Sequence, residues 1–191
     1  MSVFLVGCAG SPRPRSIVWD KLPLSKDDDW PGAKAAPATI EGGDLVLRGE
    51  YVRTRTSYSA PVTIEFDTLF ENPVSDGCLY VLFVPENSPP DLHPANATIF
   101  VMGNGNPGHL LVEQHAGSVR DYAKPWEKPF ELLPNHVYHV RIEVLASALG
   151  VEVGGKTFDL TDVRVPYKRF YIQLRGWHPP THWIVRNFVV R

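Results

Sequence analysis

The chain is poor in cysteine, in net charge and in long apolar runs, and each shortage excludes something. Cys8 and Cys78 are the only thiols among 191 residues, so at most one disulfide could form and a disulfide-stapled scaffold is ruled out. Cys78 sits in an apolar run, where a buried free thiol is expected. A formal net charge of −2 offers no positive field to a phosphate backbone, so nucleic acid is not an expected partner. No apolar stretch is long enough for a membrane span. With 43% hydrophobic and 21% charged residues, the composition is that of a soluble folded domain rather than a disordered chain. Helical periodicity is nearly missing as well.

In place of these the sequence has 18 prolines and 15 glycines, which implies many turns and few long helices. The apolar runs are short, β-branched or aromatic, and bounded by turn residues. In "PVTIEFDTLF", Val62, Ile64, Phe66 and Phe70 fall on one face while Thr63, Glu65 and Asp67 fall on the other, the alternation of a half-buried antiparallel strand. "CLYVLFV" at 78–84 is apolar on both faces and reads as a central strand. Further strands are expected at 44–48, 97–102, 109–115, 137–145, 150–153, 156–160, 169–175 and 183–190. "GVEVGGKTFDL" reads as a hairpin turning at Gly154 and Gly155, where a type I′ turn needs two positive φ values. Many short strands without crossover helices predict an all-β fold, a two-sheet antiparallel jelly-roll sandwich.

The N-terminal segment, 1–37, is expected to precede the sandwich domain at 38–191. Within it, "FLVGC" ending at Cys8 is similar to a bacterial lipoprotein processing box, although a basic n-region is missing and the apolar run is short. Either "SVFLVG" is a first strand, or Cys8 is a lipidation site and "GSPRPRS" a tether. The second alternative implies a periplasmic, cell-surface or secreted location.

"VTIEFDTLF", "SDGCLYV", "YHVRIEV", "VEVGGKTFDL" and the closing "IQLRG...WIVRNFVV" together resemble the concanavalin A-like lectin/glucanase superfamily. Within it, the order is most similar to the bacterial 3-keto-disaccharide hydrolase domain, whose final strand carries a pattern like "VRNFVV". The resemblance spans roughly residues 40–191 and implies a carbohydrate or glycoside partner. Two positions depart from that domain. Val81 stands where an arginine is expected, and Arg175 occupies the place of a glutamine, with His178 displaced. Laminarinase-type glucanases carry three carboxylates on one strand. Glu65, Asp67 and Glu71 are similar to that set in all but the last spacing, and alternation places Glu65 and Asp67 on one face about 7 Å apart.

In such sandwiches the outer face of one curved sheet collects the ligand, and sugars are held by aromatic rings beside planar polar groups. Three strands offer that mixture on one face: His109, Glu113 and His115; Arg169, Tyr171, Gln173 and Arg175; and His139, Arg141 and Glu143. Each could equally be a solvated face with cross-strand ion pairs. In "RGWHPPTHW", Trp177 is expected either as a sugar platform at a sheet rim or, like Trp183, as a plug in the core. The polar connection 114–130 is expected to be a loop, either a lid bringing Arg120, Tyr122 and Trp126 over the groove or a surface loop anchored by Trp126.

No cofactor is expected. His178 with His182, and Glu113 with His115, lack the spacing of a zinc motif. Calcium is common in the superfamily, and "DDD" at 27–29 or "GNGN" at 103–106 could supply oxygens without forming a recognisable calcium loop. Two functions follow. A carbohydrate-binding or adhesion module would use Trp177, Tyr171, Gln173, Arg175 and Arg120. A glycoside-processing enzyme would use Glu65 or Glu113 as base and His115 or His178 as proton donor, with Asp67 the same-face partner of Glu65 in an acid–base pair. The valine in place of the arginine favours the first.

Overall fold

A computed structural model describes residues 17–21, 39–41, 44–49, 51–73, 77–89, 94–104, 108–118, 121–177 and 181–191. Every regular element among them is a strand: β1 (Trp19–Lys21), β2 (Thr39–Glu41), β3 (Asp44–Leu47), β4 (Tyr51–Thr54), β5 (Val62–Glu71), β6 (Cys78–Pro85), β7 (Asn96–Gly103), β8 (His109–Ser118), β9 (Asp121–Pro129), β10 (Tyr138–Val144), β11 (Leu149–Val153), β12 (Lys156–Leu160), β13 (Phe170–Trp177) and β14 (His182–Val190). They form two seven-stranded sheets, here called A and B. Sheet A runs β1-β4-β13-β6-β7-β8-β9 and sheet B runs β12-β11-β10-β5-β14-β3-β2. All their pairings are antiparallel. β1 lies within the N-terminal segment and pairs with β4.

Period-2 alternation builds the core directly. Val62, Ile64 and Phe66 of β5 face Leu79, Val81 and Phe83 of β6 and Phe170, Ile172 and Leu174 of β13 in one buried cluster. Burial of each such side chain contributes about 1.5–3 kcal/mol relative to exposure. Trp183 is fully buried and packs on Phe70 with ring centroids 5.0 Å apart, so it is the core plug. Gly176 of β13 lies close against Leu47 of the other sheet: a Cβ there would lie 2.8 Å from the Leu47 carbonyl oxygen. Gly77 of "SDGCLYV" is similarly hemmed in, with Thr181 Oγ1 2.6 Å from a notional Cβ. Gly154 and Gly155 have φ of 57° and 78°, as the β11–β12 turn requires.

Three features differ from the sequence expectation or decide between its alternatives. First, the connection 114–130 is largely strand. It completes β8 and forms β9, an edge strand in which Lys124 and Pro125 bulge opposite Glu113. Proline lacks the N–H of a ladder residue, and an edge bulge is where a sheet tolerates it. Second, Trp126 packs on Phe158, centroids 5.5 Å apart, and against the main core, so it is an anchor. Third, β14 does not alternate to its end. Asn187 adopts φ of 53° at a register shift between Arg186 and Val189, and Phe188 therefore turns inward onto Phe66 and Trp19, at 5.6 and 4.9 Å. Without the bulge, Asn187 would occupy that core position. "RN" in the closing motif is thus structural: Arg186 Nε donates to Asp44 Oδ2 at 2.6 Å, and Asn187 Nδ2 donates to Asp67 Oδ2 at 2.7 Å.

Candidate functional site

Glu65 and Asp67 project from β5 on the outer face of sheet B, into a field of partners. Glu65 lies 2.8 Å from Arg191 and 3.5 Å from Arg141. Asp67 accepts from Asn187 and contacts His139 Nδ1 at 2.9 Å. Hydrogen bonds from Asn187 and then His139 hold the Asp67 carboxyl below the usual carboxylate range, which makes it a weak base and a poor proton donor. Arg141 is also bound to Glu143 at 2.5 Å.

Glu113, His115, Tyr171, Gln173, Arg175 and Trp177 lie on the other sheet, with side chains on its outer face. The candidate acid–base residues are therefore divided between the two outer faces, and Glu65 and Glu113 do not share a site. His178 and Arg120 lie outside the described residues.

On the outer face of sheet A the strand register aligns the side chains in rows across the sheet. One row reads Tyr51, Arg175, Tyr80, Val101, Leu111; the next reads Arg53, Gln173, Leu82, Ile99, Glu113; a third joins Trp177, Cys78, Gly103 and His109. The Arg175 guanidinium lies between two rings, 3.8 Å from the Trp177 centroid and 4.4 Å from that of Tyr51, and Nη1 donates to the Tyr51 hydroxyl. Arg53 lies over Tyr171 at 4.5 Å. Such cation–π contacts contribute about 0.5–2 kcal/mol each, and a guanidinium stacked on a ring keeps its N–H edges in plane for planar or bidentate acceptors. Tyr80 meets the edge of Trp177 at 6.3 Å.

Glu113 and His115 form a contact, Oε2 to Nε2, of 3.3 Å, and the imidazole stacks on the exposed Tyr122 ring at 5.3 Å. Burial pushes the Tyr80 phenol well up, helped by nearby Cys78 and Glu113 and opposed by Arg175. Tyr80 therefore stays a neutral O–H donor at physiological pH. Beside His115 the sheet rim opens into a cavity of about 560 Å³ lined by Thr98, Gln114, Asp162, Arg164 and Tyr167 among others. Gln114 Nε2 closes one wall by donating to the Arg164 carbonyl at 2.9 Å.

The middle of this face is not an open groove. Tyr51 is 3% exposed, Gln173 0% and Arg175 7%, although all three point away from the core. Exposure rises toward the flanks, at Arg53, Tyr171, Trp177, Glu113 and His115. Among the described residues no group of three His, Cys, Asp or Glu side chains converges on a metal position, and no helix is long and apolar enough to cross a membrane. "DDD" at 27–29 and the second half of "GNGN", residues 105 and 106, lie outside the described residues.

Sequence inspection missed Tyr51, Arg53 and Tyr80 as site residues. Their signal was faint: "YVRT" is a four-residue strand, and Tyr80 stands in a run that is apolar on both faces.

The fold class is an all-β, two-sheet antiparallel sandwich with a jelly-roll arrangement. More particularly, it is a concanavalin A-like fold. A carbohydrate-binding module from Bacillus subtilis superposes with a TM-score of 0.64 at 14% identity, over 91% of this chain and 94% of the other. The legume lectin-like domain from Entamoeba histolytica gives 0.65 at 10% identity, over 91% and 89%. A glycosyl hydrolase candidate from Parabacteroides distasonis gives 0.56 at 14% identity, over 91% and 98%. No protein-family model matches the chain, and neither does any curated protein sequence.

Proposed function

We propose that the chain is a carbohydrate-binding module whose site is the outer face of sheet A. The observation that carries this reading is the set of ring-stacked guanidiniums, Arg53 on Tyr171 and Arg175 between Tyr51 and Trp177, flanking Gln173. Planar donors held in place by aromatic rings suit the vicinal hydroxyls of a sugar, and the half-exposed rims of Trp177 and Tyr171 suit its C–H faces. Likeness of fold to carbohydrate-binding modules and lectins supports the reading. Entry is from the flanks, where exposure is greatest. A periplasmic, cell-surface or secreted setting, where glycans are met, belongs to the same proposal.

A glycoside-processing enzyme is the second reading, favoured by the Glu113–His115 contact beside Tyr80 and a cavity. A carboxylate orienting an imidazole is a general base in outline.

A panel of plain and 3-keto glycosides, assayed for thermal stabilisation and for turnover, tests both. Stabilisation without turnover is expected, and it should be lost in Trp177→Ala and Tyr171→Ala. Turnover abolished by His115→Ala would replace the first reading with the second, and an unshifted melting temperature across the panel without turnover would overturn both.

A further inference from the structure

Arginines elsewhere in the structure show what this chain does with an arginine charge when nothing else is required of it. Arg55 pairs with Asp20 at 2.8 Å, Arg141 with Glu143 at 2.5 Å, Arg169 with Glu86 at 3.0 Å, Arg186 with Asp44 at 2.6 Å and Arg191 with Glu65 at 2.8 Å. Arg53 is held differently. Its Nε and Nη1 are both buried without a hydrogen-bond partner, and among the described residues no carboxylate pairs with it. Asp20, its cross-strand neighbour on β1, gives Oδ1 to Arg55 twice, at 3.1 and 2.8 Å. Glu113, in the same row of the sheet, lies four strand steps away, roughly 19 Å of backbone, and is held by His115.

The charge of this end of the face is also one-sided. On β4 and β13 the outward positions hold two guanidiniums, those of Arg53 and Arg175, and no carboxylate. Tyr80, Leu82, Ile99 and Val101, the outward residues on the next two strands, carry no formal charge, so among the described residues these strands set no carboxylate beside Arg53. A cation with buried, unsatisfied donors is costly to keep, and stacking on Tyr171 offsets only part of that cost.

We infer that the glycan recognised at this face carries an anionic substituent, a uronate carboxylate or a sulfate ester, and that Arg53 is the residue that reads it. The inference rests on the binding reading above and narrows it from sugars in general to acidic ones. The anion supplies the acceptors that Arg53 lacks, while Gln173, directly across the strand pair from Arg53, is placed for the neighbouring hydroxyls.

The test is an array of neutral, uronate-bearing and sulfated glycans probed with the whole chain. It is followed by titration of an oligogalacturonide against its methyl ester, which keeps the backbone and removes the charge. Expected are retention on acidic glycans only, a preference of about tenfold for the free acid that weakens with added salt, and collapse of that preference to about twofold or less in Arg53→Gln. Arg53→Lys should keep part of it, and Arg141→Gln on the opposite sheet all of it. If sulfated rather than uronate glycans are retained, the same collapse is read on the sulfated ligand and its desulfated form. Equal binding of neutral and acidic glycans would overturn the inference and leave the binding reading standing. Absence of any binding would remove both. The comparison of charged and neutral ligands on the unmodified chain decides the matter even if Arg53→Gln does not fold.

Discussion

The two outer faces of the sandwich are built from the same alternating strands, yet they treat charge in opposite ways. On sheet B, carboxylates and cations are partly exposed and paired, as Glu65 is with Arg191 and Arg141, and Asp67 with His139 and Asn187. This is the inexpensive arrangement of a solvated sheet face, where each pair contributes a few tenths of a kcal/mol. On sheet A, Arg175 is 7% exposed and stacked between rings, and Arg53 has buried nitrogens without acceptors. Stability alone would have replaced such groups with apolar residues. The contrast supports the proposed site on sheet A and a structural role for the outer face of sheet B.

Substitutions can break or sharpen that contrast, beginning with one that damages both faces. Gly176→Ala drives a methyl into the Leu47 carbonyl and should cost about 2–4 kcal/mol, seen as a lower denaturant midpoint. Next, Trp177→Ala removes the ring beneath Arg175 and should weaken sugar binding about tenfold or more in calorimetry, with a smaller loss of stability. Asn187→Ala comes third, at about 1–2 kcal/mol of stability. It forces a β-carbon residue without a polar side chain to hold φ of 53° and removes the donor to Asp67, and it should leave sugar affinity unchanged.

Smaller still is a pH effect. The folded-state pKa of Asp67 lies below its unfolded value, so its contribution is fully present above the ordinary carboxylate range. It is lost as pH falls through the lowered folded value. Because the side chain is 28% exposed, solvent screening limits that contribution to about 0.5–1 kcal/mol. Asp67→Asn should therefore flatten the acid limb of the melting profile and leave the neutral limb nearly unmoved. Smallest is Arg141→Ala, on a solvated face, which should leave the melting temperature nearly unmoved and binding unchanged. A large binding defect in Arg141→Ala would reverse the assignment of the two faces.

Most of the strands were legible because alternation is a local signal. Val62, Ile64 and Phe66 announce a buried face wherever their strand ends up, and two adjacent glycines announce a turn. β9 was not legible, because its lysines and prolines carry no core pattern; its stability comes from pairing with β8, which only the fold reveals. Nor could sequence show that Asn187 resets the phase of β14, since "WIVRNFVV" reads as one unbroken strand. Asparagine, which tolerates the left-handed conformation better than most residues, was the available hint. The candidate site was half legible. Tyr171, Gln173 and Arg175 fall on one face by simple counting. That Glu65 and Glu113 belong to different sheets, that Arg53 stands beside Gln173, and that the middle of the face is buried all depend on non-local pairing.

The outermost strand of sheet A, β9, ends the sheet with two lysines, Lys124 and Lys128, and a bulged Pro125. An open β-edge is a template on which another chain can polymerise, and this one is blunted by a missing donor, a kink and mutual repulsion between like molecules. These features disfavour strand-to-strand docking of a neighbouring copy at that flank, beside Tyr122 and His115.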